Sequence, residues 1–486
     1  MDLKTLLAPL QKFQTKGDLD LDITGISYDS RKIKAGNLFA ALPGVHFHGN
    51  RFIADAEKSG AVAVLTDQST ETRLTLVLSQ NPRLALAQIS NVFYGDPSTK
   101  LRLFGVTGTN GKTTSTFLMR SILEAAEIRT GLLGTVQYTS TGFNTPAQLT
   151  TPESVDLQRM LVQMLQDGCG ACVMETSSHS LKLYRIAGCH YETAIFTNLT
   201  QDHLDFHVTM EEYFQAKMML FDNRTCTTRI AIVNADDAYG RRILDSRKNS
   251  GLAAVSYGFE DNSDYRITTW NSSAKGSEIV ISHQGTEMRM QTPLIARFNA
   301  YNICGAVAAM NESRIKQEAI VRGIEQMKQV PGRLERIDYG QPYLILIDYA
   351  HTEDALRQLL STVRPYVSGK LIVLFGCGGE RDRGKRPLMG KAAAELSDLV
   401  VLSSDNPRSE DQLQIIQEVK AGIPANAKVL VYPDREEAIV EALKILQPGD
   451  CFVLAGKGHE NYQIVGEEKL HFDEREILAS ALRSSR

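Results

Sequence analysis

A chain of 486 residues is too long for one ordinary core and predicts about three domains. Hydrophobic content of 43% and charged content of 23% fit a globular protein in water, and a formal net charge of −4 gives no basic excess of the kind nucleic acid selects. No stretch approaches the length of a membrane-spanning helix, and the opening MDLKTLLAPLQKF has neither a long apolar segment nor a small-residue cleavage site. Seven scattered cysteines, an odd number, fit a reducing compartment. The expectation is a cytoplasmic protein with no nucleic-acid or membrane partner. Cys169-Gly-Ala-Cys172 lacks a second ligand pair for zinc, and Cys172 opens an apolar run rather than preceding a helix.

Residues 1–98 form a mixed segment that ends in the turn-rich linker Gly95-Asp-Pro-Ser-Thr-Lys100. From residue 101 short apolar runs (101–106, 172–174, 194–196, 230–233) alternate with stretches long enough for helices. That alternation predicts an α/β domain with a mainly parallel sheet over residues 99–332. A helix-like stretch at 317–327 and then Pro331-Gly332 close this region. Beyond it, candidate strands at 344–347, 371–375, 399–402, 429–431 and 451–454 alternate with helical stretches such as 352–362. Residues 333–486 therefore read as a further α/β domain.

Gly105-Val-Thr-Gly108-Thr109-Asn110-Gly111-Lys112-Thr113-Thr114 follows a candidate strand, and Leu118, Ile122 and Ala125 then recur at helical spacing. Glycines let backbone approach a phosphate, and a helix N-terminus supplies N–H donors and positive potential. Lys112 would reach the β/γ-phosphates and Thr113 would hold Mg²⁺. Val106 stands where a strict Walker A loop has its first glycine. A second Gly-rich stretch, Gly379 to Arg386, has Arg386 in place of the Mg²⁺-binding Ser or Thr. Its charged residues suit the anionic groups of a substrate better than a phosphate cradle.

Glu175 and His203 each follow a candidate strand, where open α/β sheets bind ligands. On the residues alone a structural or capping role stays open for both, and histidine is an unusual Mg²⁺ ligand. Leu204 occupies the glutamate position of a zinc-protease motif between His203 and His207, which argues against that chemistry. Lys217 reads in isolation as an ordinary helix-surface lysine, and the segments Tyr28–Arg31 and Gly44–Gly49 as solvated turns. Asp405-Asn406-Pro407-Arg408 follows a candidate strand, with a proline to stiffen the turn and an arginine able to grip a carboxylate in two places. A surface-loop salt bridge is the other reading of Arg408.

In this order, GVTGTNGKTT, METSSH, NLTQDHLDFH, YFQAKMMLF, FNAYN, PGRLE and DYAH resemble the Mur ligase family. GCGGERDRGKRP, DNPRSE and AGKGHE resemble its UDP-N-acetylmuramoyl-tripeptide synthetase branch, in the form that adds meso-diaminopimelate. The resemblance spans nearly the whole chain and implies three α/β domains: an N-terminal UDP-binding one, a central P-loop-type ATPase and a C-terminal Rossmann-like one. It implies ATP-dependent ligation of meso-2,6-diaminopimelate to UDP-N-acetylmuramoyl-L-alanyl-D-glutamate through an acyl phosphate, for peptidoglycan precursor synthesis. Lys112 would contact phosphate, with Thr113, Glu175 and His203 at Mg²⁺, and Lys217 would carry a CO₂-derived carbamate (N6-carboxylysine) beside the metal. Asn299 and Asn302 would meet adenine, with Arg333, Asp348 and His351 elsewhere on ATP. Tyr28, Ser30, Val45, His46 and Phe47 would cradle UDP, and Thr150, Thr151, Ser177 and Arg185 the sugar-peptide. Leu149 and Leu183 depart from the polar residues of relatives. Arg381, Asp405, Asn406, Pro407, Arg408, Gly456 and Glu460 would form the amino-acid pocket, with Glu460 on an ammonium.

Three competing readings share part of this pattern. A lysine-adding ligase would not need an arginine for a distal carboxylate. A folylpolyglutamate-synthetase-like enzyme would lack the UDP-binding first domain and DNPR. A non-catalytic nucleotide-binding regulator would not need Lys112, Glu175, His203 and Lys217 together.

Overall fold

Each apolar run of the central region falls on a strand, with bounds that shift by one to a few residues. In the computed structural model, which describes residues 1–44 and 47–484, the four runs fall on Arg102–Thr107, Ala171–Glu175, His190–Phe196 and Thr227–Asn234. Neighbours among these strands pair in parallel. Arg102–Thr107 sits between Ala171–Glu175 and His190–Phe196 in an eleven-stranded sheet. Because helices cover both faces of a parallel sheet, such strands read as unbroken hydrophobic runs. Ala171–Glu175 is buried at every position. Parallel pairing also brings the carboxyl ends of these strands to one edge, where the glycine-rich loop, Glu175 and Asn198 emerge.

The sheet extends further than the sequence reading foresaw. Thr130–Leu133 pairs in parallel with Ala171–Glu175 and leads into the antiparallel strands Gln137–Thr139 and Asn144–Pro146. At the other end are Ala254–Gly258, Tyr265–Ser273, Gly276–His283 and Thr286–Thr292. In Thr286–Thr292 only Met288, Met290 and Thr292 turn inward, a polar alternation with little apolar signal.

Residues 1–98 build a separate five-stranded sheet. Thr75–Leu78, Ala61–Thr66, Asn37–Ala40 and Gly25–Ser27 run parallel, and Gln14–Lys16 is antiparallel at the edge. The helix Pro82–Phe93 starts with Pro82 in its first turn and Asn81 accepting from the Leu84 N–H at 3.1 Å. This sheet and most of the central sheet belong to one compact unit.

The second unit takes in Asn271–Glu278, Gln291–Arg297 and the chain from Met327 onward. Its six-stranded sheet contains all five expected strands: Leu344–Asp348, Cys451–Ala455, Leu371–Phe375, Leu399–Leu402 and Val429–Val431, in that spatial order and parallel. Glu335–Arg336 adds a short antiparallel edge. Alternate residues feed two cores, with Leu346, Val373 and Val453 in one and Ile347, Leu374 and Leu454 in the other. The expected helix at 352–362 is Glu353–Val363, capped by the Thr352 side chain and buried through Leu356, Leu359, Leu360 and Val363.

An ion pair with no solvent access braces this unit. Arg435 donates to Glu474 Oε1 at 2.8 Å, to the Ala455 carbonyl at 3.0 Å and to the Ser404 carbonyl at 3.4 Å, and the two side chains are 0% and 1% exposed. Removing one partner strands the other charge in the core. Arg435→Met is expected to lower unfolding free energy by about 3–5 kcal/mol, and Arg435→Met with Glu474→Leu to recover most of that loss. Urea titrations followed by circular dichroism measure both, and equal losses in the single and double variants would refute the pairing argument.

Candidate active site

The glycine-rich loop is held by the segment that follows strand His190–Phe196. Thr109 N–H donates to the Asn198 carbonyl at 2.9 Å and Asn110 N–H to Asn198 Oδ1 at 3.0 Å. Thr197 Oγ1 returns a bond to the Asn110 carbonyl at 2.6 Å. Gly108 has φ +150°, and a Cβ there would lie 1.8 Å from Thr197 Oγ1. Gly111 has φ +86°, and its Cβ would lie 2.3 Å from Asn302 Oδ1. The helix Lys112–Ala125 begins immediately after. Asn302 donates to Asn299 Oδ1 at 3.0 Å, and both asparagines are buried on the helix Arg297–Glu312. Lys112 folds over the loop, with Nζ 3.0 Å from the Gly108 carbonyl and 2.7 Å from the Thr109 carbonyl.

Glu175 is buried at the end of its strand and gathers three donors. Its Oε1 accepts from Thr113 Oγ1 at 3.0 Å and from Thr135 N–H at 2.9 Å, and its Oε2 from Thr135 Oγ1 at 3.0 Å. Thr135 is a residue that sequence reasoning missed, since nothing local distinguishes it. Thr113 and Glu175 together offer hard oxygen donors of the kind Mg²⁺ prefers.

Lys217 is not the surface lysine its helix position suggests. It is 1% exposed on the helix Met210–Met218, with Nζ 2.9 Å from the Gly108 carbonyl and 4.4 Å from the centre of the Tyr213 ring. Burial, with the Lys112 ammonium nearby, pulls its amine well below the ordinary lysine range. Tyr213, also unforeseen, reaches Thr109 Oγ1 with its hydroxyl at 3.2 Å. His203 is half-exposed and adopts a left-handed φ of 51°, with Asp202 at 3.5 Å. Its ring lies 4.9 Å from that of His179, while His207 is buried and bonded to Ser178 Oγ at 2.9 Å.

The four residues expected at the sugar-peptide do converge. Thr151 Oγ1 donates to the Glu175 carbonyl at 2.8 Å and accepts from Ser177 N–H at 3.1 Å. Arg185 donates to the Thr151 carbonyl at 3.1 Å, and Thr150 meets Thr135 at 3.2 Å. Arg185 also pairs with Glu153 at 3.0 Å, and so does Arg83 at 3.6 Å, a cation from the first sheet's helix. Leu149 is exposed, yet its N–H donates to the Tyr138 hydroxyl, which in turn donates to the Leu149 carbonyl. The loop is thus held through its backbone. Leu183 ends the short helix Ser178–Lys182. The Tyr28 hydroxyl donates to Asp156 at 2.5 Å, so it already has a carboxylate partner, and burial with that charge pushes the phenol up. Ser30 opens a short turn capped by Asp29, and Phe47 is exposed with the Arg51 guanidinium 4.5 Å from its ring centre. Val45 and His46 lie outside the described residues.

In the second unit the turn 405–408 is pinned by a hairpin, Tyr462–Val465 with Glu468–His471, that sequence reading did not find. Gln463 donates to the Asp405 carbonyl at 2.6 Å, Ile464 N–H to Asn406 Oδ1 at 2.9 Å, and Arg408 N–H to the Ile464 carbonyl at 3.1 Å. Arg408 has φ 52° and donates to the Gly379 carbonyl at 2.6 Å. A Cβ on Gly378 would lie 3.2 Å from the Arg408 guanidinium and 3.7 Å from the Arg381 side chain, so both arginines flank that glycine. Asn406 donates to Glu460 Oε2 at 2.9 Å. Gly456, at φ +109°, lies against Asp405. The neighbouring charges of the 379–386 loop are mostly engaged within the protein. Arg383 pairs with Glu418, and fully buried Arg386 with Glu410 and Glu418. Of the arginines in this stretch, Arg381 is left to meet an anionic group of a substrate, while Arg383 and Arg386 brace the fold.

Nearby, Asp348 accepts from Leu334 N–H and Ala350 N–H at 2.8 and 2.9 Å, and burial raises its carboxyl. The Arg333 guanidinium lies 5.0 Å from the Tyr349 ring centre, and His351 meets the Tyr349 carbonyl at 2.9 Å.

A helix-opening glycine loop at the carboxyl edge of a parallel sheet, with a buried lysine, threonine and carboxylate around it, defines a P-loop-type nucleotide site. Family models match along the chain: "Mur ligase family, catalytic domain" at residues 22–103, "Mur ligase middle domain" at 106–310 and "Mur ligase, glutamate ligase domain" at 332–458. The chain is 44% identical to the UDP-N-acetylmuramoyl-L-alanyl-D-glutamate–2,6-diaminopimelate ligase of Solibacter usitatus, covering 95% of this chain and 94% of that one. It is 43% identical to the ligase of the same name from Synechococcus elongatus, covering 99% of each. A solved structure of a ligase of that name superposes with a TM-score of 0.74 at 32% identity, covering 100% of this chain and 99% of the other. The chain belongs to the Mur ligase family. Among the described residues no helix is long and apolar enough to cross a membrane.

His459 offers a pH-dependent check on this region. Burial, with Arg333 and Arg475 close by, lowers its pKa from 6.5 to about 4. The unfolded imidazole therefore binds a proton first, and stability falls as pH drops through the window between those two values. His459→Gln, which cannot titrate, is expected to flatten the decline of Tm over that window. An unchanged slope in thermal melts would assign it to other groups.

Proposed function

We propose that this chain is an ATP-dependent ligase joining meso-2,6-diaminopimelate to UDP-N-acetylmuramoyl-L-alanyl-D-glutamate, a cytoplasmic step in peptidoglycan precursor synthesis. Its domains divide as 1–98 for the UDP substrate, 99–332 for ATP and 333–486 for the amino acid, and the chain works as a monomer. The observation that carries the amino-acid choice is the turn 405–408. There the Arg408 guanidinium lies beside Gly378 with the Arg381 side chain at the same glycine, while Glu460 is bonded to Asn406. Those charges complement the carboxylate and ammonium of diaminopimelate's second amino-acid centre, which lysine lacks in part. End-to-end identity of 43–44% with ligases of that name supports the same reading.

The γ-phosphoryl group of ATP passes to the substrate carboxylate, giving an acyl phosphate and ADP. The amine of the incoming amino acid attacks that carbonyl, and the tetrahedral intermediate expels phosphate. The N–H groups of Gly111 and Lys112 and the Lys112 ammonium hold phosphoryl oxygens as charge develops on them. Thr113 and Glu175 would hold Mg²⁺ through oxygen, with His203 and a Lys217 carbamate beside them, and the ion would supply positive charge against the phosphoryl oxygens. Asn299 and Asn302 back the adenine end, with Arg333, Asp348 and His351 serving the nucleotide. Tyr28, Ser30 and Phe47 receive UDP, and Thr150, Thr151, Ser177 and Arg185 the muramyl-peptide.

The surroundings of the lysine support the carbamate. Burial, with Lys112 beside it, lowers the Lys217 pKa and favours the neutral amine, whose lone pair can bond to CO₂ with loss of one proton. The product is an anion, which replaces repulsion toward Lys112 with attraction. Lys217→Ala is expected to lower turnover about 100-fold or more, with partial rescue by added formate or acetate. Turnover equal to wild type would remove Lys217 from the mechanism.

The deciding experiment is phosphate release across an amino-acid panel with the UDP-dipeptide and ATP present. Release should require both UDP substrate and amino acid, with kcat/KM far higher for meso-diaminopimelate than for lysine. Arg408→Lys should weaken diaminopimelate by about 2–5 kcal/mol, roughly 30-fold to several thousand-fold, with little effect on ATP or UDP substrate. A preference for lysine would overturn the substrate and leave the ligase. Release independent of the amino acid would overturn both.

A further inference from the structure

Lys457 is a fully buried ammonium that none of the steps above uses. It sits in the turn after strand Cys451–Ala455, and its side chain is 0% exposed. Its Nζ lies 3.2 Å from Asn406 Oδ1 and 3.5 Å from Glu460 Oε2, with the rings of Tyr462 and Phe472 each centred 5.8 Å away. Burying a charge is unfavourable unless oxygens or aromatic faces compensate for lost water. An apolar side chain would fill this space without that penalty, so the charge itself needs a reason.

The partners supply one. Lysine ammonium and backbone N–H groups can only donate, and Asn406 Oδ1 receives both Lys457 Nζ and Ile464 N–H. This fixes which way the amide faces. Its Nδ2 is turned to Glu460 Oε2, and Glu460 is thereby held in one orientation. Tyr462 also bonds this carboxylate, and with Lys457 3.5 Å away rather than clamped onto it, Glu460 keeps acceptor capacity for one more donor. Its side chain is 15% exposed, which leaves it a face to meet one.

We propose that Lys457 is a positioning residue for amino-acid specificity: through Asn406 it sets Glu460 to receive the distal ammonium of the incoming diamino acid. The inference rests on the diaminopimelate reading given above and goes beyond it by assigning how the second amine is recognised. Arg408 recognises the distal carboxylate, and Lys457 acts only on the distal amine. The two halves of the second amino-acid centre are therefore separable by substitution.

The test uses meso-diaminopimelate beside 2-aminopimelate, which keeps the reacting centre and the distal carboxylate but lacks the second amine. Lys457→Met is expected to lower kcat/KM for diaminopimelate about 10- to 100-fold, mainly through KM, and to change 2-aminopimelate less than about threefold. The discrimination ratio then collapses, while KM for ATP and for the UDP substrate stays within about twofold. Equal losses on both amino acids would overturn the proposal, because a merely structural lysine moves them together. If the methionine variant does not fold, Lys457→Gln keeps a donor toward Asn406 without the charge and should show the same collapse at smaller amplitude. Failure of both variants to fold makes Lys457 a folding residue and also overturns it. The wild-type arm separates the two levels of the reading. Wild type using both substrates equally would sink the role of Glu460 and Lys457, whereas wild type ligating neither would sink the diaminopimelate reading itself.

Discussion

Two amines share one carbonyl oxygen at the centre of this protein. Lys112 and Lys217 both point Nζ at Gly108 O, at 3.0 and 2.9 Å. Lys112 has the Thr109 carbonyl as well, yet two ammonium ions on one oxygen still repel strongly in a site with little water. Burial, with Lys112 beside it, lowers the pKa of Lys217 and shifts that amine toward its neutral form. Everything around it follows from keeping that carbonyl in place. Gly108 must lie against Thr197, Thr197 must bond the next turn of the loop, and Asn198 must hold Thr109 and Asn110.

Strand direction does the remaining work within each unit. Parallel strands put their carboxyl ends on one edge, so residues distant in sequence meet without any one of them needing a special conformation. Glu175 reaches Thr113 across neighbouring strands, and Arg185 reaches Thr151 across 34 residues of sequence. In the second unit, Asp405 and Gly456 follow strands on either side of Leu371–Phe375 and meet at their carboxyl ends, Gly456 with the help of a left-handed φ.

That geometry explains what was legible in the sequence. The strands buried on both faces announce themselves as unbroken apolar runs, and all five strands expected beyond residue 333 are present. Half-buried strands such as Thr286–Thr292 carry only a weak alternation and were missed. Local chemistry was legible too, since a glycine loop or a proline-stiffened turn holds its meaning in a few consecutive residues. Partners that act across space were not. Thr135 on Glu175, Tyr213 against Lys217, Arg83 on Glu153 and the hairpin over residues 405–408 have no signature of their own. Lys217 itself looked like a surface residue, because its helix has equally polar neighbours at Glu211, Glu212 and Gln215.

The buried cations, compared with one another, separate structure from chemistry. Arg247 donates to the carbonyls of Ala253, Phe221 and Thr228, Arg386 meets two glutamates and a carbonyl, and Arg435 meets a glutamate and two carbonyls. Each spreads its charge over several acceptors, as a planar guanidinium permits, and each braces the fold. Lys457 has an amide oxygen and a carboxylate. Lys217 has one shared carbonyl and one aromatic face. It is buried as deeply as the arginines and compensated least among them. Lys217 therefore contributes least to holding the fold as an ammonium. That under-compensation distinguishes it from a strut.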